Sequence, residues 1–135
     1  MTVLVPDGGE VIALEYLVNK NGQTEDLVYR LYSNNITPSE TDVVGAFTEA
    51  AGGGYAAKPL TGANWVIVSG NPAVASYARQ DWVFSGPLTT NPNIYGYYVT
   101  RLSTGDLVYA EKAAAVATPT NSGDEYRVVP RISAD

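Results

Sequence analysis

One stretch, NIYGYYVTRLSTGDLVYAEK at residues 93–112, constrains the fold more than any other. Residues 94–100 and 107–111 carry the Tyr, Val and Thr that suit a pleated surface. Between them Ser103-Thr104-Gly105-Asp106 supplies a turn, with Gly105 free to take positive φ. The first of these strands has no polar face. Alternation puts Ile94, Gly96, Tyr98 and Thr100 on one side and Tyr95, Tyr97 and Val99 on the other. A half-buried strand alternates apolar with polar, so a strand apolar on both sides needs two covers. In a small sandwich the core is one. A loop, a helix or another protein must be the second. Tyr95, Tyr97 and, on the next strand, Tyr109 are therefore candidates for an intersubunit surface, set against the plainer reading that they are ordinary core residues.

The chain of 135 residues has the length of one domain, 1–135, with an N-terminal arm and helix over 1–22, and can bury a core without staples. A hydrophobic share of 45% argues against disorder. Thirteen Gly and eight Pro among frequent Tyr, Val and Thr favour many short strands. The absence of Cys removes disulfides, thiol catalysis and zinc–thiolate sites. The absence of His removes the usual general base and the commonest transition-metal ligand. A formal charge of −6 disfavours nucleic acid and anionic membrane as partners. No run approaches a membrane span, and residues 1–10 lack the positive region of a secretory signal, so synthesis in a cytoplasm is expected.

Along the chain, residues 2–5 form an apolar arm stopped by Pro6. Near-helical spacing of Val11, Leu14, Tyr16, Leu17 and Val18 predicts a helix over 10–18, ended by Asn19-Lys20-Asn21-Gly22. It would cover an edge of the sandwich or contact a neighbour. Residues 26–33 predict a strand with Leu27, Tyr29 and Leu31 on one face. Thr37, Pro38 and Glu40 have the pattern of a helix start, predicting one or two turns over 38–43 unless Thr41-Asp42 begins a turn. A short strand or bridge follows at 46–49. Gly52-Gly53-Gly54 is not a phosphate loop, because Pro59 blocks the helix that must follow; it reads as a flexible turn, with Tyr55 anchored in the core and its hydroxyl near the surface. Strands are predicted at 64–69, with Trp65 as a core anchor, at 73–79, at 82–84 after a possible bulge at Gln80-Asp81, and at 126–132. Residues 113–117 read as an extended edge segment.

The residues available for catalysis are carboxylates. Glu40 with Asp42, Glu10 with Glu15, and Asp124 with Glu125 all fall in loops or on solvated faces, whereas a glycosidase needs two across one cleft. Asp7, Asp81, Asp106 and Asp124 could supply oxygen ligands for calcium, but no Asp-x-Asp-x-Asp run exists. The reading is of a chain without catalytic, cofactor or metal residues. Trp65, Trp82 and the ten Tyr leave a sugar-stacking platform open.

LVYRLYSNNITPSETDVVGAFTEA (27–50), GGGYAAKPL (52–60), NWVIVS (64–69), IYGYYVTRLSTGDLVYAE (94–111) and YRVVPRIS (126–133) together resemble a group of small tailed-phage virion proteins. The shared pattern is a leucine-rich strand, Asn, Thr-Pro, a short acidic helix, Phe-Thr-Glu and Gly-Tyr, then a Tyr-Gly-Tyr strand and a strand ending Ala-Glu. The resemblance implies a structural component of a phage particle, first a decoration or cement protein on the outer capsid. It implies the major capsid protein as partner, self-association as a homotrimer, and a place on the capsid surface after assembly in the host cytoplasm. Residues 1–19 lie outside it. With the residue-level reading, the expectation is an all-β, jelly-roll-like β-sandwich with a short N-terminal helix and no enzymatic activity. The alternatives are a minor tail or neck component and a carbohydrate-binding sandwich for host attachment.

Overall fold

The computed structural model describes residues 3–18 and 25–134. In chain order they form α1 (Asp7–Leu17), β1 (Leu27–Tyr32), β2 (Lys58–Leu60), β3 (Val66–Val68), β4 (Ala73–Ser76), β5 (Gln80–Val83), β6 (Ile94–Arg101), β7 (Leu107–Ala117), β8 (Glu125–Val128) and β9 (Arg131–Ala134). The fold is all-β with a short N-terminal helix. A four-stranded sheet runs β2-β1-β6-β7, a three-stranded sheet β3-β4-β9 and a two-stranded sheet β5-β8, with every named pair antiparallel.

The apolar strand receives both covers from its own chain. β6 lies between β1 and β7 and is buried over nearly its whole length. On one face Tyr97 and Val99 join Tyr29 and Leu31 of β1, Tyr109 of β7, and Trp82, Phe84 and Val128 beyond the sheet. On the other, Tyr98 joins Tyr32, Phe47, Leu107 and Ala110 under the segment that follows β1. Side chains fix that second cover. Asn34 Nδ2 donates to the Ala46 carbonyl at 2.9 Å, the Thr48 amide donates to Asn34 Oδ1 at 2.8 Å, and Lys112 Nζ donates to Asn35 Oδ1 and Thr37 Oγ1 at 3.2 and 3.1 Å. Gly96 permits the closure. A Cβ there would lie 2.2 Å from the Glu111 carbonyl oxygen and 2.8 Å from the Tyr32 ring.

Several expectations change. Ile94 packs with Tyr97 and Val99, and Tyr95 with the Tyr98 cluster, because the register with β7 shifts between Ile94 and Gly96 and breaks the alternation. A second irregularity, between Val99 and Thr100, places Val108 and Tyr109 against the same cluster. Residues 113–117 are extended, as expected, but continue β7. The helix predicted over 38–43 is a turn: the Asp42 carboxylate accepts from the Ser39 amide at 2.8 Å, and a single 3₁₀ turn follows at Val44–Ala46. Residues 46–49 supply one bridge, Glu49 to Tyr32. The predicted last strand divides at Pro130 into β8 and β9, which belong to different sheets. β2 was not anticipated; its Pro59 is tolerated because β2 is a sheet edge. Gly52, Gly53 and Gly54 all have positive φ and pack closely on residues 85–89, so the run is a tightly seated turn. The Tyr55 hydroxyl points inward, accepting from the Leu31 amide at 3.1 Å and donating to Glu49 at 2.9 Å. Trp65 is half-buried against Tyr77 at the margin of the core.

Candidate functional site

The three tyrosines singled out from the sequence are positioned by β6 and β7. Tyr109 is 1% exposed and Tyr97 6% exposed, while Tyr95 is half-buried. Tyr97 and Tyr109 are thus core residues, which corrects their assignment to an intersubunit surface. Register explains it: Tyr97 faces Glu111 across the β6–β7 pair, and Tyr109 follows the bulge onto the same side. The Tyr29 ring stacks on Tyr97 with centroids 5.3 Å apart and meets Tyr109 edge-on at 5.9 Å. The Tyr29 and Tyr109 hydroxyls hydrogen-bond each other, and the Tyr97 hydroxyl donates to Glu111 at 3.2 Å. Burial, and then the Glu111 charge, push the Tyr97 and Tyr109 phenols well above their ordinary range, so both remain donors.

The exposed apolar surface lies elsewhere. Val66, Ile67 and Val68 make up β3, an edge strand, and all three are exposed, Ile67 to 74%. No charged residue occurs between Lys58 and Arg79 in a chain of net charge −6. Ile67, Ala75 and Ile132 lie side by side across β3, β4 and β9. With Leu27, Trp65 and Tyr16 they line an open groove of about 650 Å³.

α1 borders that groove and extends the apolar surface. It turns Gly9 and Ile12 inward, and a Cβ at Gly9 would lie 2.0 Å from the Val108 carbonyl oxygen, so the helix backbone rests directly on β7. Val11, Leu14, Leu17 and Val18 face outward, Leu17 at 80% exposure. Of the two roles open to this helix, covering an edge and contacting a neighbour, its inner face serves the first and its outer face is free for the second. The expected stop at residues 19–22 lies outside the described residues. A polar clamp fixes the helix end: Glu25 accepts from Arg101 Nε, from the Ser103 amide at 3.0 Å and from the Tyr16 hydroxyl at 3.2 Å, and Arg101 lies over the Tyr16 ring. Burial opposes the Glu25 charge, but the hydrogen bonds from Ser103 and Arg101 outweigh it and hold the carboxyl at about 2.

Three of the paired carboxylates, Asp42, Asp124 and Glu125, serve local structure. Asp42 closes its turn, Asp124 accepts from the Thr120 and Asn121 amides at 2.9 Å each, and Glu125 pairs with Arg127. No three Asp or Glu side chains converge among the described residues. Sequence reasoning predicted the strand at 64–69 and raised the helix as a contact with a neighbour, but it did not single out β3 as exposed surface, and it missed Glu111. β3 had a signal, Val-Ile-Val inside the long uncharged run. Glu111 had none, because its setting depends on strand register.

No family model, no curated protein and no solved structure matches this chain.

Proposed function

We propose that this chain is a non-enzymatic structural protein of a tailed-phage particle, and within it a capsid decoration protein that docks on the major capsid protein as a small oligomer. The sequence resemblance suggests the particle. The observation that carries the assembly role is the exposed, uncharged β3 edge, whose Ile67 lines the groove beside Tyr16 of α1. Apolar surface of this kind marks an interaction site, and an unpaired edge is a template for another strand. Between chains of net charge −6, an uncharged β3 that meets the positively charged Arg131 on β9 adds no like-charge repulsion.

In the homotrimer that the resemblance implies, β3 of one copy adds to β9, the opposite edge of the same sheet, in the next. The oligomer then stabilises the shell by mass action, because it binds the assembled capsid and not its free subunits. A stable contact buries roughly 1,200–2,000 Å² in total.

Sedimentation of the purified protein, alone and mixed with undecorated capsids, tests the proposal. Stoichiometric co-sedimentation, with the free protein as a small oligomer, is expected. A monomer that leaves the capsids bare would overturn it.

A further inference from the structure

A cleft of about 620 Å³ opens at the β8–β9 side of β7. Its floor holds Tyr97 and Glu111, which is 9% exposed. The arm contributes to its wall: Leu4 pairs with Ala110 through two hydrogen bonds of 2.9 Å, setting Val3 and Val5 beside the cleft. Val128 and Ile132 add apolar wall, and Arg127 and Arg131, both exposed, stand at the rim. The cleft shares only Ile132 with the groove beside α1.

We propose that this cleft binds a neutral saccharide. Glu111 has acceptor capacity to spare. One carboxylate oxygen accepts from Tyr97, while the other takes no hydrogen bond from the described residues and is not sealed from solvent. That oxygen, open to the cleft, can accept from a hydroxyl of a ligand in place of water. The rim offers a donor. Arg127 is held by Glu125 and Asp81, but the Arg131 guanidinium makes no hydrogen bond or ion pair with the described residues.

These charges select against ions. An anion entering the cleft would meet Glu111 at the floor, and a cation would pass Arg131 and Arg127 at the rim. A neutral polyol satisfies both groups, donating a hydroxyl proton to Glu111 and accepting from Arg131. Its C–H faces suit the valine walls and the Tyr126 side chain. The volume falls within the roughly 300–1,000 Å³ range of small-ligand sites.

Amide chemical-shift titration of the whole protein tests this, with glucose, galactose, N-acetylglucosamine and their disaccharides as probes, and n-butylammonium chloride and sodium acetate as charged controls. At least one sugar should shift the amides of Tyr97, Glu111, Tyr126 and Ser133 saturably, with neither control doing so. Arg131→Ala removes an exposed side chain without a partner, so the fold should persist, and it should weaken sugar binding about tenfold, the size of one charge-assisted hydrogen bond. Glu111→Gln should weaken it as well. The inference is overturned if no sugar shifts the cleft, if the ammonium or acetate ion occupies it instead, or if Arg131→Ala binds sugar as the parent does. Because Arg131 and Ser133 belong to β9, the edge that β3 meets in the proposed trimer, sedimentation velocity of Arg131→Ala separates the two proposals: sugar binding lost with the oligomer unchanged bears on the cleft alone.

Discussion

β6 and β3 carry the same local signature and meet opposite fates. Up to Thr100, β6 is uncharged and without a polar face, and β3 is Val-Ile-Val throughout. β6 has a strand on each side and a layer on each face. Among the described residues β3 has one neighbour strand, and it is exposed along its length. The rule that such a strand needs two covers therefore identifies a requirement without saying who meets it. For β6 the answer is long-range pairing inside the chain, as in Tyr29 against Val99. For β3 the described residues supply no second cover, and under the proposed assembly it comes from another copy.

The sharpest break of that contrast is at Gly96. Gly96→Val drives a branched side chain into the Glu111 carbonyl and the Tyr32 ring, neither of which can retreat from a doubly covered strand. We expect a loss above about 4 kcal/mol, enough to unfold a marginal domain. Urea denaturation followed by circular dichroism reads it. A midpoint near the parent's would mean that the second cover is loose.

The next effect lies where α1 is clamped beside β6. Glu25→Gln removes the carboxylate charge beside Arg101 in a site where both side chains are about nine-tenths buried. The expected cost is about 2 kcal/mol, between exposed and fully buried pairs. The sign with pH follows from the depressed carboxyl. The stabilisation is fully present above the ordinary value of 4.5 and is lost as pH falls toward about 2. Stability of the parent should therefore decline through that window more steeply than that of Glu25→Gln. Parallel declines would remove Glu25 as the cause.

Within the core, Tyr109→Phe leaves the Tyr29 hydroxyl buried without its partner, for about 1–2 kcal/mol. Adding Tyr29→Phe should cost less than a second such loss, since no orphaned hydroxyl then remains. Additive losses in a double-mutant cycle would show that the two hydroxyls do not act as a pair.

What was legible in the sequence was periodic and local. Alternation at 26–33 correctly put Leu27, Tyr29 and Leu31 on one face. Turn residues placed most strand ends within a few positions. Bulges, long-range neighbours and edges were not legible, because each depends on residues far apart in the chain. A register shift near Ile94 moved Tyr95 to the other face, and nothing in NIYGYY announces it. Pro130 carried a signal for the break between β8 and β9 that the single strand predicted at 126–132 passed over, and a break would not say that the halves join different sheets. For the candidate surfaces the failure ran the other way. The two-cover argument was applied to the strand with the most tyrosines, although Val-Ile-Val, short and flanked by Asn and Gly, posed the same demand.

The smallest expected change in stability tests that point most directly. Ile67→Lys places a charge on a side chain already exposed, on an edge with one neighbour, so the isolated domain should change by no more than about 0.5 kcal/mol. Lysine on an edge strand is also a common natural block to strand addition. In sedimentation velocity the parent should run as a small oligomer and Ile67→Lys as a monomer with an unchanged urea midpoint. If both run as the same oligomer, β3 is not the pairing edge and its cover must be sought on the outer face of α1. If the variant loses several kcal/mol, Ile67 is already covered within the folded chain, and the distinction between β3 and β6 collapses.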